Sequence, residues 1–93
     1  MSIKITPFDA AKYLETDEDI VAFLTDMLEN GTSEDFINAL GTVARARGMT
    51  EIARDAGVTR ASLYKSMADG ARPRFDTINR VVGALGLKLT IAT

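Results

Sequence analysis

Apolar positions along this chain of 93 residues follow two rhythms. Ile20, Phe23, Leu24, Met27 and Leu28 recur three and four residues apart, which predicts a helix with one buried stripe. Phe36, Ile37, Leu40, Val43 and Ala44 repeat that spacing, as do Phe75, Ile78, Val81, Val82 and Leu85. Two shorter helices are expected between the last two stripes, from Thr50 to Ala56 and from Thr59 to about Met67. The tail Leu87-Lys88-Leu89-Thr90-Ile91-Ala92 changes to period two and predicts a β-strand. Its partner would be Ile3–Ile5 or the same tail of a second copy, because a lone strand leaves its backbone groups unpaired.

Punctuation agrees with these boundaries. Thr16-Asp17-Glu18-Asp19 and Thr32-Ser33-Glu34-Asp35 each place a capping threonine before acids suited to a first helical turn. Thr6-Pro7-Phe8-Asp9 has the same chemistry and predicts a further short helix, to about Leu14. Thr50 and Thr59 are the expected caps of the two short helices. Asn30-Gly31, Gly48, Gly57 and Gly86 are stops. Ala68-Asp69-Gly70-Ala71-Arg72-Pro73 reads as a polar loop. The expected architecture is therefore all-α, with five to six short helices around one core and a short C-terminal β-strand.

Composition narrows the chemistry. Apolar residues make up 46% and charged residues 26%, ordinary for a soluble globular chain. No cysteine or histidine is present, which excludes disulfide frameworks, Cys/His metal sites, thiol nucleophiles and histidine-based triads. Ser33 and Ser62 have no histidine to activate them, and no carboxylate cluster points to a metal, so neither catalysis nor a cofactor is expected. The longest apolar run, Val81 to Leu87, is too short to cross a bilayer. Met1 to Phe8 has no secretory pattern, and a cytoplasmic protein with no membrane partner is the expectation.

The net charge of −2 conceals an uneven distribution. Residues 1–44 hold two bases against nine acids, a balance of −7, whereas residues 45–80 hold eight bases against four acids, a balance of +4. Helix capping accounts for many of the acids, but their summed field remains. A basic segment can meet nucleic acid even where the whole chain is acidic.

The basic segment contains the pattern with the strongest functional content. From Met49 to Lys65, two short helices meet at a tight turn. Ala53 is small where the helices would cross, Gly57 tolerates positive φ, and Val58 follows it into the core. Ile52, Ala56 and Leu63 supply the inner contacts. That spacing predicts a helix-turn-helix. With Leu63 inward, Arg60, Ala61, Tyr64 and Lys65 face outward, and Thr59 and Ser62 flank the helix start. Such a helix fits the major groove. Arg60 suits guanine O6 and N7, and Ala61 suits close approach or a thymine methyl. Tyr64 and Lys65 suit phosphate or sugar, as do Thr50 and Thr59, while Arg72 and Arg74 bracket the next turn as candidate backbone clamps.

At these residues the chain resembles the Xre/lambda-repressor-like helix-turn-helix group. More narrowly, it resembles the small addiction-module antidote proteins (HigA-like antitoxins). The resemblance covers nearly the whole chain. It runs from Phe8-Asp9-Ala10-Ala11-Lys12-Tyr13-Leu14 and the acids after it, through Gly57-Val58-Thr59-Arg60-Ala61-Ser62-Leu63-Tyr64-Lys65, to Ala84-Leu85-Gly86-Leu87-Lys88-Leu89. It implies an antitoxin that neutralises a small basic toxin of the RelE/HigB type and binds operator DNA as a homodimer to repress its own operon. Residues 1–31 would be an acidic helical arm packed on the same core, and 32–93 the DNA-binding domain. Phe8, Tyr13, Asp17, Glu18, Phe23 and Met27 are the candidate toxin contacts. The loop at residues 68–73 departs from the Gly-Asn-Pro-like turn expected of the family. The rival readings are a stand-alone phage-type repressor and an interaction module that does not bind DNA.

Overall fold

A computed structural model describes residues 14–92. They form five helices: α1 (Asp17–Asn30), α2 (Ser33–Arg47), α3 (Met49–Ala56), α4 (Arg60–Ser66) and α5 (Phe75–Ala84). The helix expected from Thr6, the short alternation at Ile3–Ile5, and the candidates Phe8 and Tyr13 lie outside the described residues.

The first two helices begin where local chemistry places them. Asp19 N–H donates to Thr16 Oγ1 at 3.1 Å, and Thr16 N–H donates back to Asp19 Oδ2 at 3.3 Å. Thr32 and Asp35 repeat this reciprocal box at 3.1 and 2.9 Å. Each box satisfies two backbone donors that the helix itself cannot use.

The start of α3 differs from the expectation. Thr50 does not cap it; the N-cap is Gly48, with no side-chain hydrogen bond. Gly48 N–H donates to Ala44 O at 2.9 Å and closes α2, while its carbonyl accepts from Ile52 N–H at 3.1 Å and opens α3. One residue at φ 109° thus ends one helix and starts the next. No spacer remains for a threonine cap, and Thr50 becomes the second residue of α3.

One buried cluster draws on every helix. Ile20 and Leu24 of α1 meet Phe36, Leu40, Val43 and Ala44 of α2, Ile52 and Ala53 of α3, Leu63 of α4, and Val81 and Val82 of α5. Helix α3 lies against α2, α4 and α5, and α1 lies against α2. Gly41 in mid-α2 sits where Met67, just beyond α4, comes close. A Cβ there would lie 3.1 Å from Met67 Cβ.

Two predicted core residues are outside. Leu28 is 54% exposed and Phe75 is 68% exposed. Each sits near an end of its helix. Together they border a groove of about 300 Å³ with Met27, Phe36, Ile78 and Leu89. The expected C-terminal β-strand is also absent: Leu87 to Ala92 form no strand among the described residues. The alternation there has another cause. Leu87 and Leu89 pack partly against the core and Lys88 and Thr90 are exposed, but the packing ends there, because Ile91 is fully exposed. One-sided packing of an extended segment produces period two without any hydrogen-bonded ladder.

Candidate nucleic-acid interface

The turn between α3 and α4 is built by backbone hydrogen bonds. Gly57 adopts φ 73° and ψ 30°, the left-handed conformation. This lets Gly57 N–H donate to Arg54 O at 3.1 Å and Val58 N–H donate to Ala53 O at 3.0 Å. The paired bonds stop α3 in a Schellman motif and carry Val58 back toward the core. Thr59 then opens α4, its Oγ1 accepting from Ser62 N–H at 3.0 Å. The hydroxyl proton of Thr59 stays free to donate outward.

Leu63 fixes how α4 is rotated. Its side chain is fully buried, with 0% exposure, between α3 and the rest of the core. Burial of that size stabilises by about 1.5–3 kcal/mol. At about 100° per residue, Ala61, Ser62, Tyr64 and Lys65 are turned about 100–160° away from the buried Leu63, whereas Arg60 lies only about 60° from it and is the first residue of α4; all five are exposed. Helix α4 contains no acid. Arg72 and Arg74 are exposed in the extended segment that leads into α5. Thr50 is exposed on the first turn of α3.

The arginines fall into different settings. Arg47 reaches Asp17 at 2.6 Å, Arg54 reaches Asp55 at 3.4 Å, and Arg80 reaches Asp76 at 3.1 Å. Arg45 donates to Thr42 Oγ1 at 3.4 Å, on α2. Arg60 instead lies over the Tyr64 ring, with its guanidinium carbon 5.4 Å from the centroid, and donates to the phenol oxygen at 3.4 Å. The Arg60–Tyr64 and Arg80–Asp76 pairs sit four residues apart and were detectable from spacing alone. The Arg47–Asp17 pair spans thirty residues and gave no local signal.

The acidic candidates separate by environment. Asp17 and Glu18 are exposed on the first turn of α1, and Asp17 is held by Arg47. Phe23 and Met27 are half-buried against the core. Glu18, Val21, Asp26 and Glu29 share a shallow apolar-and-acidic strip along α1, with Val21 exposed.

These features define an all-helical protein in which a short cationic helix is anchored by one leucine, while an acidic helix occupies another part of the surface. Residues 4–93 match the family described as probable addiction module antidote protein, and the chain belongs to that family. A Haemophilus influenzae protein, described only as uncharacterized, is 38% identical over 91 residues, which cover 98% of this chain and 94% of that protein. No solved structure matches the chain significantly. An antidote acts against a toxin, so the family implies a toxin partner. No helix among the described residues is long and apolar enough to cross a membrane.

Proposed function

We propose that this chain is an antitoxin that also represses its own operon, with α3 and α4 acting as a helix-turn-helix of the Xre/lambda-repressor type. The observation that carries the DNA-binding part is the orientation of α4: Leu63 is fully buried while Arg60, Ala61, Ser62, Tyr64 and Lys65 are exposed. A helix presented this way enters a major groove with its outer face toward the base edges. Arg60 donates two hydrogen bonds to a guanine edge. Ala61 permits close approach. Lys65, Arg72, Arg74 and the hydroxyls of Thr50, Thr59 and Ser62 bind the phosphate backbone. Two copies of the chain set their α4 helices about 34–36 Å apart, one turn of duplex, and read a palindrome.

The antitoxin part rests on family membership and on charge. The exposed acids of α1, among them Asp17 and Glu18, offer a negative surface to a basic toxin of the HigB-like class, with Phe23 and Met27 supplying apolar edges beside it. The protein's role is binding, without catalysis or cofactor, in the cytoplasm.

The DNA function is tested with the duplex that lies immediately upstream of the chain's own gene. Fluorescence anisotropy should show binding by the wild type and its loss in the Arg60→Ala, Lys65→Ala double variant. Undiminished binding by that variant removes α4 from the interface. The antitoxin function is tested by co-expressing the neighbouring gene with and without this chain. Growth arrest by the neighbour alone, relieved by this chain in a stable complex, is the expected result, and the absence of either refutes it.

A further inference from the structure

We propose that Tyr64 is a positioning residue: it holds the Arg60 guanidinium ready for a guanine edge and is not itself a contact to the DNA backbone. This inference rests on the reading of α4 as the DNA-entering helix.

The geometry is specific to this pair. Arg60 opens α4 and Tyr64 lies one turn later on the same exposed face. The guanidinium carbon is 5.4 Å from the ring centroid, within cation–π range. One Nη2–H donates to the phenol oxygen at 3.4 Å. A guanidinium has five N–H donors, so this contact leaves a fork free for two parallel bonds to one base. Arg47, Arg54 and Arg80 are each held by a carboxylate. A carboxylate partner would neutralise the cation and repel the phosphates around a groove. A tyrosine partner restrains the side chain and leaves its charge intact.

Restraint matters because an arginine carries several rotatable bonds. Ordering them on binding reduces affinity, and a side chain already ordered in the free protein avoids that loss. If Tyr64 supplies the ordering, its removal should lower affinity about three- to tenfold through Arg60. A Tyr64 that contacts a phosphate on its own would lower affinity whether or not Arg60 is present.

The test is a double-mutant cycle on the duplex upstream of the chain's own gene, with thermal melting to verify that each variant is folded. Tyr64→Leu should weaken binding about three- to tenfold in the wild-type background and have no effect in the Arg60→Ala background. Tyr64→Phe, which keeps the ring, should restore most of the affinity lost by Tyr64→Leu. Losses that multiply in the double variant, or a Tyr64→Leu protein that binds like wild type, overturn the proposal. A measurement without DNA separates it from the broader reading. In the free protein, ¹⁵N relaxation at Arg60 Nε should show it more ordered than Arg72 and Arg74, and Tyr64→Leu should abolish the difference. A disordered Arg60 in a wild type that binds DNA overturns the positioning role alone. An ordered Arg60 in a protein that binds neither this duplex nor any duplex selected from a random pool overturns the DNA reading, and the positioning role falls with it.

Discussion

The same substitution, glycine to alanine, should change stability in opposite directions at Gly57 and Gly83. At Gly57 the backbone is left-handed, φ 73°. An added Cβ would meet nothing closer than Arg80 Nη1 at 3.7 Å, an ordinary contact, so space does not decide the outcome. The left-handed backbone does, at about 1–2 kcal/mol for a residue with a Cβ. Reduced freedom of the unfolded chain returns about 0.4–1 kcal/mol. Gly57→Ala should therefore destabilise by about 1 kcal/mol. Gly83 lies inside α5, exposed, with nothing within 4 Å of its hypothetical Cβ and no positive φ. There alanine is the better helix former by about 1 kcal/mol. The two variants should differ by about 2 kcal/mol, a factor of roughly 30 in the folding equilibrium. Urea unfolding followed by circular dichroism, at one protein concentration, measures both. Thermal midpoints should move apart by roughly 4–8 °C per kcal/mol. If both variants shift in the same direction, either the turn after α3 is not left-handed or α5 does not extend through Gly83.

Leu63→Ala should cost about 2–5 kcal/mol, because a fully buried side chain is removed from the shared core. Arg60→Ala, by contrast, should leave the urea midpoint nearly unchanged, as expected of an exposed surface position. Thr59→Ala should cost about 1 kcal/mol by freeing Ser62 N–H, while Thr50→Ala at the exposed second position of α3 should not lower the melting temperature. Asp17→Asn should cost about 0.2–1 kcal/mol at low salt through loss of the Arg47 pair, and the difference should vanish near 1 M NaCl. Lys65→Ala should weaken DNA binding by a similar factor across duplex sequences. It should also flatten the plot of log affinity against log salt by about one unit, if that lysine binds phosphate.

Local chemistry carried most of the helix plan. A threonine followed by an acid three residues on needs no distant partner to stop a backbone donor going unpaired, and both such boxes formed where their residues stand. Thr59 behaved likewise. The glycine after α3 was legible for the same reason, since only a residue without a Cβ takes that turn without strain. Where two signals competed over a short span, the pattern misled. Thr50 looked like a cap, but Gly48 had already used the available backbone groups.

Hydrophobic spacing identified which face of each helix is apolar but not how far the neighbouring helices extend along it. Leu28 and Phe75 obey the spacing and still lie exposed, at the rim of a groove that residues of α1, α2 and α5 leave open. The tail shows the same limit: period two reports that one side is packed, and a strand needs a ladder that these residues lack among those described. The pairing of Asp17 with Arg47 likewise required α1 and α2 to be laid side by side. The sequence by itself determined the five described helices, the threonine caps of α1, α2 and α4 and the choice of α4 as the cationic element, because those depend on residues within one turn of each other. Tertiary structure decided which apolar residues are covered and that Asp17 pairs with Arg47, because both depend on contacts between helices formed by separate parts of the chain.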